Sequence, residues 1–99
     1  MRHVEIAPSF DREAEAIGAY IESHFGASAR ETFVSELGQI CTLIAFLPSL
    51  GKMRHGYDTK LVGYAFGQNW IFFDFDDDAV TFLHIVSTKR NKPGILFDR

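Results

Sequence analysis

Residues 70–91 read WIFFDFDDDAVTFLHIVSTKRN, two apolar and aromatic runs on either side of Asp76, Asp77 and Asp78. Such a stretch reads as a β-hairpin with an acidic tip, followed at once by the basic Lys89 and Arg90. A strand with one face on a core and the other in water alternates apolar with polar residues. Here Trp70, Phe72 and Asp74 share one face and Ile71, Phe73 and Phe75 the other. In the second run the sets are Val80, Phe82, His84, Val86 and Thr81, Leu83, Ile85, Ser87. Both faces are apolar, so both need cover, and the rest of the chain has to be read for what it can supply.

The 99 residues are expected to form one domain, with residues 92–99 as a tail. A composition 46% hydrophobic and 23% charged is that of an ordinary globular protein. No apolar run reaches the roughly 20 residues that span a bilayer, and residues 1–10 hold no signal-peptide segment, so a cytoplasmic protein is the expectation. Cys41 is the single cysteine, and it reads as a small buried hydrophobe on a helix. A net charge of −3 argues against a protein whose main work is gripping phosphates. The positive charge gathers late, at Lys52, Arg54, Lys60, Lys89, Arg90 and Lys92.

Residues 3–7 alternate up to Pro8 and read as a first strand. The period then changes to that of a helix, with Ser9 as N-cap and an apolar stripe of Phe10, Ala14, Ile17, Ile21 and Phe25 ended by Gly26. Ser28 to Glu31 has the form of a capping box opening a second stripe, Phe33, Leu37, Ile40, Ile44 and Leu47, which Pro48 closes. Two such helices joined by two or three residues run antiparallel, as a hairpin able to cover one face of a sheet. Residues 48–59 read as the long connection and residues 60–86 as a three-strand meander. If each element reverses the chain, the first strand joins the meander at an edge, beside residues 60–67 or 79–87, and antiparallel to either. The expected fold is α+β, a helical hairpin on one face of a four-stranded antiparallel sheet in the order β-α-α-β-β-β.

No motif for catalysis stands out. Asp74, Asp76 and Asp78 begin like a calcium loop, but Ala79 and Ile85 stand where that loop needs glycine and glutamate, so a solvated turn is expected. His3, His24, His55 and His84 are scattered, and neither a metal nor any other cofactor is expected. Lys89 and Arg90 are the sharpest local charge, readable as a solvated strand end or as a patch for phosphate or an acidic partner.

Taken as a whole, the pattern resembles the RelE/ParE superfamily of toxins from type II toxin-antitoxin modules, the ParE branch more than the RelE branch. The resemblance is carried by the element order, by the spacing of Ala14, Ile17 and Tyr20, and by Phe25 and Gly26 at the bend. It continues through Leu43 to Pro48 with Leu50 and Gly51, the aromatic Ile71, Phe72 and Phe73, and the run from Phe82 to Val86 before Lys89 and Arg90. It implies a toxin neutralised by a cognate, ParD-like ribbon-helix-helix antitoxin, whose C-terminal segment wraps the open sheet face and the helical groove. ParE-branch members poison DNA gyrase; RelE-branch members cut messenger RNA on the ribosome. Ser87 and Asn91 depart from the histidine and aspartate usual in the ParE branch, and the connection at 48–59 is arginine-poor. For the RelE branch, Arg54, Lys60 and Arg90 could supply positive charge, but residues 93–99 hold no Tyr or His to serve as the late acid.

The expectation is therefore a binding toxin with no catalytic residues, no membrane association, and no sequence-specific contact with nucleic acid except through its antitoxin. Tyr64, Phe66, Trp70, Phe72, Phe82 and His84 are the candidates for the open face, with Lys89 and Arg90 for the target or for acidic antitoxin groups. The alternatives are a RelE-like messenger RNA endoribonuclease using Arg54, Lys60 and Arg90, and a non-toxic relative that only binds an antitoxin. The tail residues Ile95, Leu96 and Phe97 could instead plug the open face.

Overall fold

A computed structural model describes residues 2–53 and 61–87. The elements follow in the order β1 (His3–Ile6), α1 (Pro8–Phe25), α2 (Ala27–Phe46), a 3-10 turn (Pro48–Leu50), β2 (Lys52–Met53), β3 (Val62–Phe66), β4 (Asn69–Phe75) and β5 (Ala79–Ser87). One sheet joins the strands as β1-β5-β4-β3-β2, with the two helices packed on one face. The α+β order expected from the sequence is therefore present.

One strand direction differs from expectation. β1 lies at the sheet edge beside β5, as one of the two foreseen placements had it, but it runs parallel to β5, from His3 opposite Ala79 to Ile6 opposite Phe82. The sheet is thus mixed rather than wholly antiparallel. The reason is β2, a two-residue strand inside the segment read as irregular connection, which pairs antiparallel with Val62 and Gly63. It adds one reversal, so every later strand runs opposite to the direction the count of elements gave.

The helix ends also differ in detail. α1 starts at Pro8, whose missing N–H costs nothing at a helix start, and Ala7 precedes it with no side-chain cap. Ser9 is inside the helix and its hydroxyl goes elsewhere. Gly26, at φ 97°, both ends α1 and precedes α2, so a single residue joins the helices and no capping box forms at Ser28. That φ lies in the left-handed region glycine tolerates. Across the hairpin, Arg30 bridges to Glu22 at 2.7 Å and to Glu15, and its side chain lies over the buried Gly18.

The core sits between the helices and the sheet. Phe10 from α1 and Phe33, Leu37, Ile44 and Ala45 from α2 meet Val62, Ile71, Phe73, Val80, Phe82 and Ile85. The step on β5 from Val80 to Phe82 is two residues, but from Phe82 to Ile85 it is three. A bulge causes this: Phe72 pairs with His84 and Phe73 with Phe82, leaving Leu83 as the extra residue. A bulge inserts one residue and exchanges the faces beyond it. Much of the apparent double apolarity of β5 is therefore one core-facing set, Val80, Phe82 and Ile85, switching parity midway.

Candidate functional site

The second sheet face is built from Trp70 and Phe72 of β4 with Val86 of β5, which lies opposite Trp70. The rings of Trp70 and Phe72 stack at a centroid distance of 6.2 Å. Phe72 is fully buried and Val86 only 4% exposed. The face is thus not the bare surface the sequence suggested, and Trp70 is its partly exposed member.

The six residues expected together on that face are divided. Tyr64 and Phe66 alternate with Gly63 and Ala65 on β3 and pack toward the helices, Phe66 reaching Phe33 of α2 at 6.0 Å between ring centroids. Phe82 is fully buried against Phe10 at 5.6 Å and Phe73 at 5.8 Å, so it is a core residue and not a surface one. Trp70, Phe72 and His84, the last paired with Phe72, hold the second face, and Phe72 is buried there. His84 stands at the bulge, half-buried, with its Nδ1 3.1 Å from Glu13 on α1. Lys89, Arg90, Arg54, Lys60 and the tail at 95–97 lie outside the described residues.

Among the described residues, apolar surface remains open along the end of α2 and in several grooves, one of them lined by Ile17, Tyr20, Ile21 and Phe25 of α1 with Gln68, Asn69 and Ser87. Between the helices a groove of about 310 Å³ has Phe10, Phe33, Leu37 and Cys41 along it and the charged Asp11, Glu15 and Arg30 at its margin. Between α2 and β3 lies another, of about 420 Å³, walled by Ile40, Leu43, Tyr64 and Phe66. Leu43, Phe46, Leu47 and Leu50, spaced three, one and three residues apart at the end of α2, are all more than a third exposed. Leu47 thus belongs to this outer stripe and not to the core stripe in which it was counted. Cys41 is half-buried, and burial pushes its thiol up to about 12, which makes it a neutral apolar group rather than a nucleophile.

The acidic tip satisfies itself. Asp76 Oδ1 accepts the amides of Asp78 and Ala79, each at 2.8 Å, and the Asp76 carbonyl accepts from Arg2 Nε at 2.6 Å. This is a side-chain-closed turn. Among the described residues, no group of three or more metal-ligating side chains comes together, and no helix is long and apolar enough to cross a membrane.

The family model described as ParE toxin of type II toxin-antitoxin system, parDE, matches residues 4–92. The chain belongs to the ParE toxin family. The solved chromosomal ParDE toxin-antitoxin system from P. aeruginosa contains a chain with the same fold, at TM-score 0.75 and 11% identity, covering 88% of this chain and 96% of that one. A chain of the toxin-antitoxin complex RelBE2 from Mycobacterium tuberculosis aligns at TM-score 0.49 and 17% identity, over 87% of this chain and 96% of that one. No curated protein matches. The sequence offered Ser9 only as a helix N-cap and Glu13 only as an acid near the helix start, and gave no sign that both touch β5. Their spacing of four residues is shared by many solvated helix positions.

Proposed function

We propose that this chain is the toxin of a parDE-type module, that a cognate ParD-like antitoxin holds it inactive in the cytoplasm, and that it acts by binding DNA gyrase rather than by cutting RNA. The observation that carries this reading is the family match across residues 4–92. The antitoxin is a small ribbon-helix-helix protein whose C-terminal segment lies along the groove between α1 and α2. That groove suits an amphipathic segment: its floor is apolar at Phe10, Phe33 and Leu37, while Asp11, Glu15 and Arg30 can orient charged groups at its margin. The segment continues toward Tyr64 and Phe66 in the α2–β3 groove, and Trp70 and His84 serve as contacts at the sheet. Lys89 and Arg90 engage the target or acidic antitoxin groups.

Inducing the chain without its antitoxin tests the target. The expected outcome is growth arrest with a DNA-damage response and intact messenger RNA. Ribosome-dependent messenger cuts that disappear in Arg90→Ala would instead establish the ribonuclease alternative, with Arg54, Lys60 and Arg90 in its site. Antitoxin binding without any growth arrest would identify a non-toxic relative.

A further inference from the structure

β1 ends at Ile6, opposite Phe82, while β5 runs on to Ser87. Beyond Phe82 the outer edge of β5 faces no described strand, and its backbone groups are met from the α1 side instead. The Ala7 amide donates to the Phe82 carbonyl at 2.9 Å. The Ser9 hydroxyl donates to the Leu83 carbonyl at 2.7 Å, and the Ile85 amide donates to Glu13 Oε1 at 3.1 Å. Residues four apart on a helix share a side, so Ser9 and Glu13 can reach one strand edge together. Glu13 also takes the His84 ring, with Nδ1 3.2 Å from Oε1 and 3.1 Å from Oε2. A carboxylate oxygen accepts, so the ring's bond to Glu13 calls for the proton on Nδ1.

These contacts converge on the bulge at Leu83, the place where the faces of β5 exchange. A slip of one residue there would turn His84 and Val86 to the opposite faces. We propose that Glu13 is a positioning residue: by holding Nδ1–H of His84 and the Ile85 amide at once, it fixes the end of β5 and preorganises the antitoxin contacts that Trp70 and His84 supply beside the buried Val86. Only the purpose of those contacts rests on the toxin reading; the positioning itself does not.

Three full-length chains test it: the wild type, Glu13→Ala, and Glu13→Gln, whose amide oxygen can still accept both protons. Nitrogen NMR on labelled histidine should show Nδ1–H in the wild type and the Gln variant, and its loss in the Ala variant. Exchange of the Ile85 amide should speed by about tenfold or more in the Ala variant while Ile71, in the sheet centre, keeps its protection and so reports an intact fold. Affinity for the ParD-like antitoxin should fall by about tenfold in the Ala variant, equal to about 1.4 kcal/mol of lost binding, and return in the Gln variant. Unchanged ring nitrogens and Ile85 exchange in the Ala variant would overturn the proposal. So would a changed ring and edge with unaltered antitoxin affinity. A wild type that binds no antitoxin removes the toxin-antitoxin reading alone, and the ring nitrogens and Ile85 amide then decide the positioning.

Discussion

Phe82 shows how a single position decides what the hairpin is for. Its ring is fully buried between Phe10 and Phe73, so Phe82→Ala should cost about 3–5 kcal/mol of stability in a denaturant titration, the range for emptying a buried aromatic site. A partner-binding role would predict a small stability change and a large affinity loss instead. Gly51 is a second such position. A Cβ there would run into Val62 Cγ1 and come within 2.8 Å of Phe73 Cζ, so Gly51→Ala should destabilise by about 1–3 kcal/mol through overpacking, read as a lower melting temperature. Cys41 gives a pH test. Its thiol ionises near 9.0 when exposed and only at about 12 in the fold. Below pH 9 the thiol is neutral in both states. As pH rises from 9 toward 12 only the unfolded chain releases the proton, so stability falls over that window. The Cys41→Ala variant should lack this part of the decline when the two are compared by denaturation at pH 8 and pH 10.5.

Elements were legible in the sequence where one period held, and misread where two short features intervened. The stripe Phe10, Ala14, Ile17, Ile21 and Phe25 identified α1, and all its members but Phe25, which is 71% exposed, lie in or against the core. The acidic tip was legible as a turn because Asp76 closes it with its own side chain. Two things were hidden: β2, too short at Lys52–Met53 to leave a periodic signature, and the bulge at Leu83, which no residue type announces. The first inverted the direction of β1 relative to β5; the second made one core-facing set look like two. The place of Trp70 on the second sheet face was legible by its excess of apolar surface, whereas Tyr64, Phe66 and Phe82 had a period but no sign of which face met the helices. The α1–β5 seam was invisible because it joins residues more than seventy apart. Ser9→Ala removes its Leu83 bond and should cost about 1 kcal/mol by equilibrium unfolding, more than a solvated serine would.

At the scale of the molecule, the chain is a helical hairpin laid on a mixed sheet, and its open apolar surface lies along and between the helices and at the β3 border. The second sheet face, with Phe72 fully buried, offers less to a partner than its sequence implied. That places the weight of recognition on the helical side: Leu37→Asp, at the floor of the interhelical groove, should destroy the complex but also the fold, whereas Val34→Asp, on the exposed lip of the same groove, should leave the melting temperature nearly unchanged and weaken antitoxin binding about tenfold or more in a titration. Membership of the ParE family rests on residues 4–92, which take in every described strand and helix save His3 of β1, together with the basic Lys89 and Arg90. The direct test of a gyrase-binding toxin is supercoiling of relaxed plasmid by purified gyrase, titrated with the purified chain. The account predicts inhibition that an equimolar amount of antitoxin reverses. Undiminished supercoiling at a large excess of a chain that still arrests growth would contradict it.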